Sequence, residues 1–274
     1  MEKKICKIIT VANQKGGTGK TTTAYNLGTA LAKSGNRVLL VDNDPQTNLT
    51  TVFGVENSDN LPVTLHEALS IIIDDNDLPD RSQYILHGET LDLIPASINL
   101  SITEINLRDE MGGERTLSAL LEPLREHYDY IIIDTNPYLG LLTINALAAC
   151  DSVIIPVSPQ LWSANGLTSL LDIIIKVKKK INPHITISGI LITMTNDNTI
   201  LHREASDLIN EYFLDKVNIF GAQIPMTVKV GRANFYSRSV IAFDSKNKAA
   251  IAYEALAKEV MRNGEDEPRH TATA

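Results

Sequence analysis

An α/β fold, a single doubly wound and mostly parallel sheet flanked by helices, is the architecture this chain predicts. Three observations point to it. Seven apolar runs rich in β-branched residues recur along 274 residues, and most lack the strict alternation of a half-exposed sheet, as strands covered on both faces do. Helical patterns separate the runs. The first run passes directly into a glycine-rich loop and then into an alanine- and leucine-rich helical pattern, the strand–loop–helix order of an α/β unit.

The elements follow in order. Ile8, Ile9 and Val11 carry a strand over 5–12, and the helix over 21–34 stops at Gly35-Asn36. A strand over 37–41 leads into Asp44-Pro45, a turn signal. A helix over 64–72, a strand over 91–95 and a helix over 113–127 come next. Tyr130 and three isoleucines make a strand over 130–133, ending in Asp134, before a helix over 140–149. A strand over 152–157 precedes a helix over 164–181, which Asn182-Pro183 terminates. A strand over 186–195, a helix over 200–213, a strand over 217–224 and a helix over 247–261 complete the series. No repeat or linker divides the chain, so residues 1–262 are expected to form one domain, and the polar, aperiodic stretch 263–274 a disordered tail.

Composition narrows the class. With 43% hydrophobic residues and a mean hydropathy of −0.03, the chain reads as an ordinary soluble protein, neither disordered nor membrane-spanning. Met1-Glu2-Lys3-Lys4 leads straight into the first strand, so no signal peptide is expected and the location is cytoplasmic. Cys6 and Cys150 are too few for a disulfide framework and lie in or beside apolar segments, which predicts buried, inert thiols. The net charge of −8 is uneven. Residues 174–248 hold 11 Lys/Arg against 6 Asp/Glu, an excess that hints at an anionic partner.

The loop reads Asn13-Gln14-Lys15-Gly16-Gly17-Thr18-Gly19-Lys20-Thr21-Thr22. Glycines let backbone N–H groups approach anionic oxygens, a lysine serves β/γ-phosphates, and a hydroxyl serves Mg²⁺. Gly19, Lys20 and Thr21 supply these in sequence. Gln14 stands where the common phosphate-loop pattern has its first glycine, and Lys15 appears inside the loop, where its long side chain has the reach to touch a phosphate held by a facing subunit. The second strand runs on into Asp42-Asn43-Asp44-Pro45-Gln46-Thr47-Asn48, with Asp42 and Asp44 two residues apart and so on one side of an extended segment. The apolar strand ending at Asp134 is a third acidic strand end, of the kind that holds Mg²⁺ or its water.

With these motifs the chain resembles the deviant Walker-A ATPases, the family that includes ParA/Soj partition proteins, MinD and the nitrogenase iron protein. The resemblance spans Ile5 to about Met261. It implies ATP and Mg²⁺ as ligands, with Gly16, Gly17, Thr18, Gly19, Lys20, Thr21 and Thr22 around the phosphates, Thr21, Asp42 and Asp134 serving the metal, and Asp44 positioning the attacking water. Lys15 then implies a homodimer closed by ATP. Asn196, at the end of the sixth strand, and Pro225-Met226 resemble the segments that flank adenine. Arg203, Lys229, Arg232 and Arg238 match the basic C-terminal region with which relatives hold double-stranded DNA without reading its sequence, and Lys216, Lys246 and Lys248 add to it. Arg232 stands where many relatives have an acid, and Asn136 where the third motif has a proline.

The resemblance further implies a ParB-like centromere-binding activator and a nucleoid-associated cytoplasmic location. Other members of the family define alternatives. A MinD-like membrane role needs an apolar, basic C-terminal helix, and Asn263-Gly264-Glu265-Asp266-Glu267-Pro268 is acidic and proline-broken, so no membrane contact is expected. An iron–sulfur role needs paired cysteines in a suitable loop, which Cys6 and Cys150 do not offer. Positioning of a non-DNA cargo by the same mechanism stays open.

Overall fold

The computed structural model describes residues 5–159, 164–196, 204, 208, 209, 211 and 217–266. Among them, eight strands form one sheet in the order β3-β4-β2-β5-β1-β6-β7-β8. The strands are β1 (Lys7–Val11), β2 (Val38–Asn43), β3 (Leu86–His87), β4 (Asp92–Ile94), β5 (Tyr130–Thr135), β6 (Ser152–Val157), β7 (Thr186–Thr195) and β8 (Ile224–Pro225). Neighbours pair in parallel, apart from β3 against β4. The helices are α1 (Lys20–Lys33), α2 (Asn48–Phe53), α3 (Leu65–Ile73), α4 (Leu100–Asp109), α5 (Thr116–Leu121), α6 (Leu141–Ala149), α7 (Ala164–Lys180), α8 (Val228–Phe235), α9 (Val240–Phe243) and α10 (Lys248–Asp266).

Strand alternation builds two cores from one sheet. On β5, Ile131 and Ile133 join one cluster, with Leu65, Leu117, Leu142 and Leu170 from α3, α5, α6 and α7. Tyr130 and Ile132 join the other, with Leu27 and Leu31 of α1 and Leu256 of α10. Both faces are therefore buried, which is why the central strands read as continuous apolar runs. The carboxyl ends of β1, β2 and β5 come together at one edge.

The structure departs from the sequence expectation in several places. The helix over 113–127 is broken into a 3₁₀ turn (Gly113–Arg115), α5 and a second 3₁₀ turn (Glu122–Glu126), because Pro123 has no N–H to continue α5. The strand over 217–224 shrinks to a bridge between Ile190 and Ile219 and the two-residue β8. Glu259 explains the gap, since its carboxylate accepts the N–H groups of Gly221 and Ala222 at 2.9 and 2.8 Å. Helix α10 continues to Asp266, past the expected boundary at 262, and the remainder of the stretch 263–274 lies outside the described residues. Of the helix over 200–213 only Glu204, Leu208, Ile209 and Glu211 are described, and they are helical.

Candidate functional site

The loop between β1 and α1 is held from two sides. Asn13 donates its side-chain amide to Pro156 O at 2.6 Å and accepts the Lys15 N–H at 2.9 Å, tying the loop to β6. The Thr193 hydroxyl donates to Thr18 O at 2.8 Å, tying it to β7. Gly17 and Gly19 take left-handed φ values of 73° and 84°, which a side chain would strain. At Gly19 the cause is backbone conformation alone, because a Cβ there would meet only Met194 Cε at 3.8 Å.

Lys20, the first residue of α1, is buried, and its ammonium donates to Lys15 O at 3.2 Å across the mouth of the loop. Burial lowers its pKa, while Asp134 and Asp44 act in the opposite direction. Thr21 and Thr22 are half-buried behind it, and Gly16 is open to solvent. Lys15 has an exposed side chain, although its backbone N–H and carbonyl are engaged within the loop. With Gln14 it borders an open depression of about 420 Å³ whose other wall is Gly166 and Ser169 of α7.

The three carboxylates reach the same edge by different means. Asp42 is fully buried. Its Oδ2 accepts both the Thr50 N–H (2.8 Å) and hydroxyl (2.7 Å), and its Oδ1 accepts the Asp44 N–H at 3.3 Å. Burial pushes its pKa up to about 7 against these bonds. Asp44 accepts the Gln46 N–H on Oδ1 at 2.9 Å; burial raises its pKa and Lys20 holds it down. Asp134 is in register with Asp42, yet both of its oxygens are buried without a hydrogen-bond partner among the described residues. Burial first, then Asp42, raises its pKa well above the carboxylate range, with the nearby Thr21 hydroxyl and Lys20 opposing.

The structure thus brings Lys20, Asp44 and Asp134 together, with Asp42 in register beside Asp134 and hydrogen-bonded within the protein. The oxygens of Asp42 are spent on Thr50 and on the backbone of Asp44, so it shapes the loop that carries Asp44. Asn13, Thr50 and Thr193 were not singled out from sequence. Thr50 and Thr193 stand 8 and 175 residues from the groups they bond, a separation that leaves no local signal.

At the far end of the site, β7 and β8 pair Thr195 with Pro225, and the Met226 N–H donates to Thr195 O at 2.8 Å. This sets Asn196, half-buried, beside Pro225 and the exposed Met226. Of the basic residues, Arg203 and Lys216 lie outside the described residues. Lys229 and Arg232 are on α8 and Arg238 just beyond it; Lys229 pairs with Asp244 at 3.3 Å, and Arg232 and Arg238 are exposed.

A family model described as an AAA domain matches residues 6–187. The chain is 43% identical over 258 residues to the sporulation initiation inhibitor protein Soj of Bacillus subtilis (strain 168), covering 94% of this chain and 99% of Soj. It is 39% identical over 259 residues to the chromosome partitioning protein ParA of Myxococcus xanthus, covering 93% of this chain and 88% of that one. The chain belongs to the ParA/Soj family.

Among solved structures, this ParA/Soj-family chain is similar to cobyrinic acid a,c-diamide synthase from Mycobacterium smegmatis with bound ATP analog and magnesium. That likeness has a TM-score of 0.84 at 33% identity and covers 96% of each chain. The doubly wound sheet expected from sequence is the fold of the ParA/Soj chain, and its glycine-rich loop sits at the carboxyl edge where Asp42, Asp44 and Asp134 converge.

Proposed function

We propose that this chain is a partition ATPase that binds Mg²⁺-ATP, closes as a homodimer, holds double-stranded DNA without sequence preference and lets go after hydrolysis. One observation carries the catalytic part. Asp134 presents two buried oxygens, without a hydrogen-bond partner among the described residues, beside the Lys20 ammonium and the Thr21 hydroxyl, a donor set that suits a hard divalent cation or its water. Thr21 and Asp134 are the residues that would hold Mg²⁺, which when bound neutralises charge on the β- and γ-phosphate oxygens. An ATP analog and magnesium are bound in the solved neighbour with the same fold.

The chain's own groups do the rest. Backbone N–H groups of residues 16–22 and the Lys20 ammonium receive the phosphates. Asp44, with Oδ1 fixed by Gln46, orients a water whose oxygen attacks the γ-phosphorus as the bond to the β-phosphate oxygen breaks, leaving ADP and phosphate. Positioning and charge neutralisation are the whole of this chemistry, so turnover is slow until a ParB-like partner completes the site. Asn196, Pro225 and Met226 flank the adenine. The exposed Lys15 reaches the phosphates of the facing protomer, and Lys229, Arg232 and Arg238, with Arg203, contact DNA phosphates in the nucleoid. Among the described residues no helix is long and apolar enough to cross a membrane.

The Asp44→Ala variant tests this reading. It should bind ATP, dimerise and remain on duplex DNA while ATP hydrolysis is lost. Hydrolysis at the wild-type rate, or no ATP-dependent binding of duplex DNA, would overturn it.

A further inference from the structure

Helix α8 places Val228, Arg232 and Phe235 on one face, four and three residues apart. Val228 is 84% exposed and Phe235 82%, so two large apolar side chains flank a guanidinium in open water. A Schellman turn closes the helix. Ser237 adopts the left-handed conformation (φ 50°), its N–H bonds Asn234 O at 3.0 Å, and the Arg238 N–H bonds Ala233 O at 3.0 Å, fixing the backbone of Arg238 against the helix end.

The rings beside Phe235 form a contiguous series. Phe235 meets Tyr236 edge to face, with centroids 5.3 Å apart and an interplanar angle of 85°, and Tyr236 stacks on Phe243 at 5.9 Å and 12°. The Arg232 guanidinium and Lys229 ammonium lie 5.8 and 5.9 Å from the Phe243 centroid. Among the described residues one carboxylate, Asp244, pairs with this cluster through Lys229, against the three cations Lys229, Arg232 and Arg238.

Cations alone suffice to hold duplex phosphates, and they do not account for exposed rings beside them. Every nucleobase offers a π face to an aromatic side chain, and such stacking needs no particular sequence. We propose that residues 228–238 form a stacking site for unpaired or partly unstacked nucleobases, with Phe235 and Tyr236 against the bases and Arg232 and Arg238 on the flanking phosphates. The ligand class is single-stranded DNA or a locally opened duplex. This rests on the reading of the chain as a DNA-binding ATPase and adds a contact which that reading does not require. An anionic bilayer fits less well, since two apolar side chains split by a guanidinium on an eight-residue helix offer it little apolar area.

Fluorescence anisotropy of the full chain with ATP tests the site, using a labelled oligothymidylate of about 20 nucleotides, an abasic strand of equal length and a duplex. Wild type should bind oligothymidylate about tenfold more tightly than the abasic strand, the effect expected of one stacked base. Phe235→Ala should erase that difference and leave duplex affinity within about twofold, and Phe235→Tyr should restore it. The exposure of Phe235 keeps these variants folded. A preference for bases that persists in Phe235→Ala, or that wild type lacks, overturns the stacking site while intact duplex binding leaves the partition reading standing. Loss of ATP-dependent binding to all three probes removes both. Co-sedimentation with phosphatidylserine vesicles that Phe235→Ala abolishes would make the surface a lipid site and overturn the proposal.

Discussion

Asp42 and Asp134 occupy the same register position on neighbouring parallel strands, and both are fully buried, but hydrogen bonding separates their roles. Asp42 receives three hydrogen bonds from Thr50 and Asp44, whereas Asp134 receives none among the described residues. A carboxylate already satisfied by the protein has little to offer a cation, and an unsatisfied one has both oxygens free.

Asp134→Asn should therefore remove the Mg²⁺-dependent part of ATP affinity while leaving the ligand-free chain at least as stable as wild type at pH 8. Thermal scans with ATP, with and without Mg²⁺, check this. A variant that gains as much stability from Mg²⁺-ATP as wild type does would exclude Asp134 as the metal's carboxylate.

Thr50 links Asp42 to the Ala96 N–H, which donates to its hydroxyl at 2.9 Å. Thr50→Val leaves two buried polar groups short of a partner and should cost on the order of 1–3 kcal/mol of stability, together with a fall in kcat as the Asp44 turn loosens. Thr50→Ser should recover most of both. Urea unfolding and single-turnover hydrolysis measure the two effects.

The pKa of Asp42, about 7, lies above its unfolded value of roughly 3.9. The folded chain thus retains a proton that the unfolded chain has released. Its contribution favours folding below about pH 4 and is lost as pH rises to about 7, and the raised pKa of Asp134 acts in the same direction. Ligand-free stability should fall across this window, and Asp42→Asn should flatten the slope. Denaturation midpoints at several pH values decide it.

Cys6 and Cys150 are both pushed up to about 12, chiefly by burial. Native protein at pH 8 should leave both thiols unmodified by a maleimide, and both should react once it is unfolded. Because the unfolded thiols ionise near pH 8.5, stability should decline as pH rises beyond that point. Mass spectrometry after alkylation reads the first effect and thermal scans the second.

Lys15 and Lys20 should separate cleanly. Lys20→Ala removes the buried ammonium that donates to Lys15 O across the loop and should abolish ATP binding. Lys15→Ala truncates an exposed side chain, so stability and ATP affinity should hold while ATP-dependent dimerisation fails. Sizing with light scattering reports the dimer, and an unchanged dimer would refute the cross-subunit role.

The legible parts of this fold are those in which burial is uniform. Central strands such as 130–133 and 152–157 are apolar on both faces and announce themselves, and the phosphate loop and the acids at strand ends are local features of the chain. Helix α4 leaves no clear mark in the sequence because it carries apolar residues on both faces. Leu100 and Leu107 are buried and Ile102 and Ile105 exposed, so no single stripe stands out. Helix α8 hides in the same way, with Val228 and Phe235 turned outward, and β3 is only two residues long.

By itself the sequence determined that glycines would shape a phosphate loop after the first strand and that Asp42, Asp44 and Asp134 would gather at one sheet edge. Glycine conformation, side-chain alternation and an acid at the end of an apolar run are properties of short stretches of chain. Only the tertiary structure decided which carboxylate is left without a hydrogen-bond partner among the described residues, because that depends on donors such as Thr50 and on burial from both faces of the sheet. It also decided that Arg232 and Phe235 stand exposed beside a ring stack, since exposure depends on what packs against a helix and not on what the helix is made of.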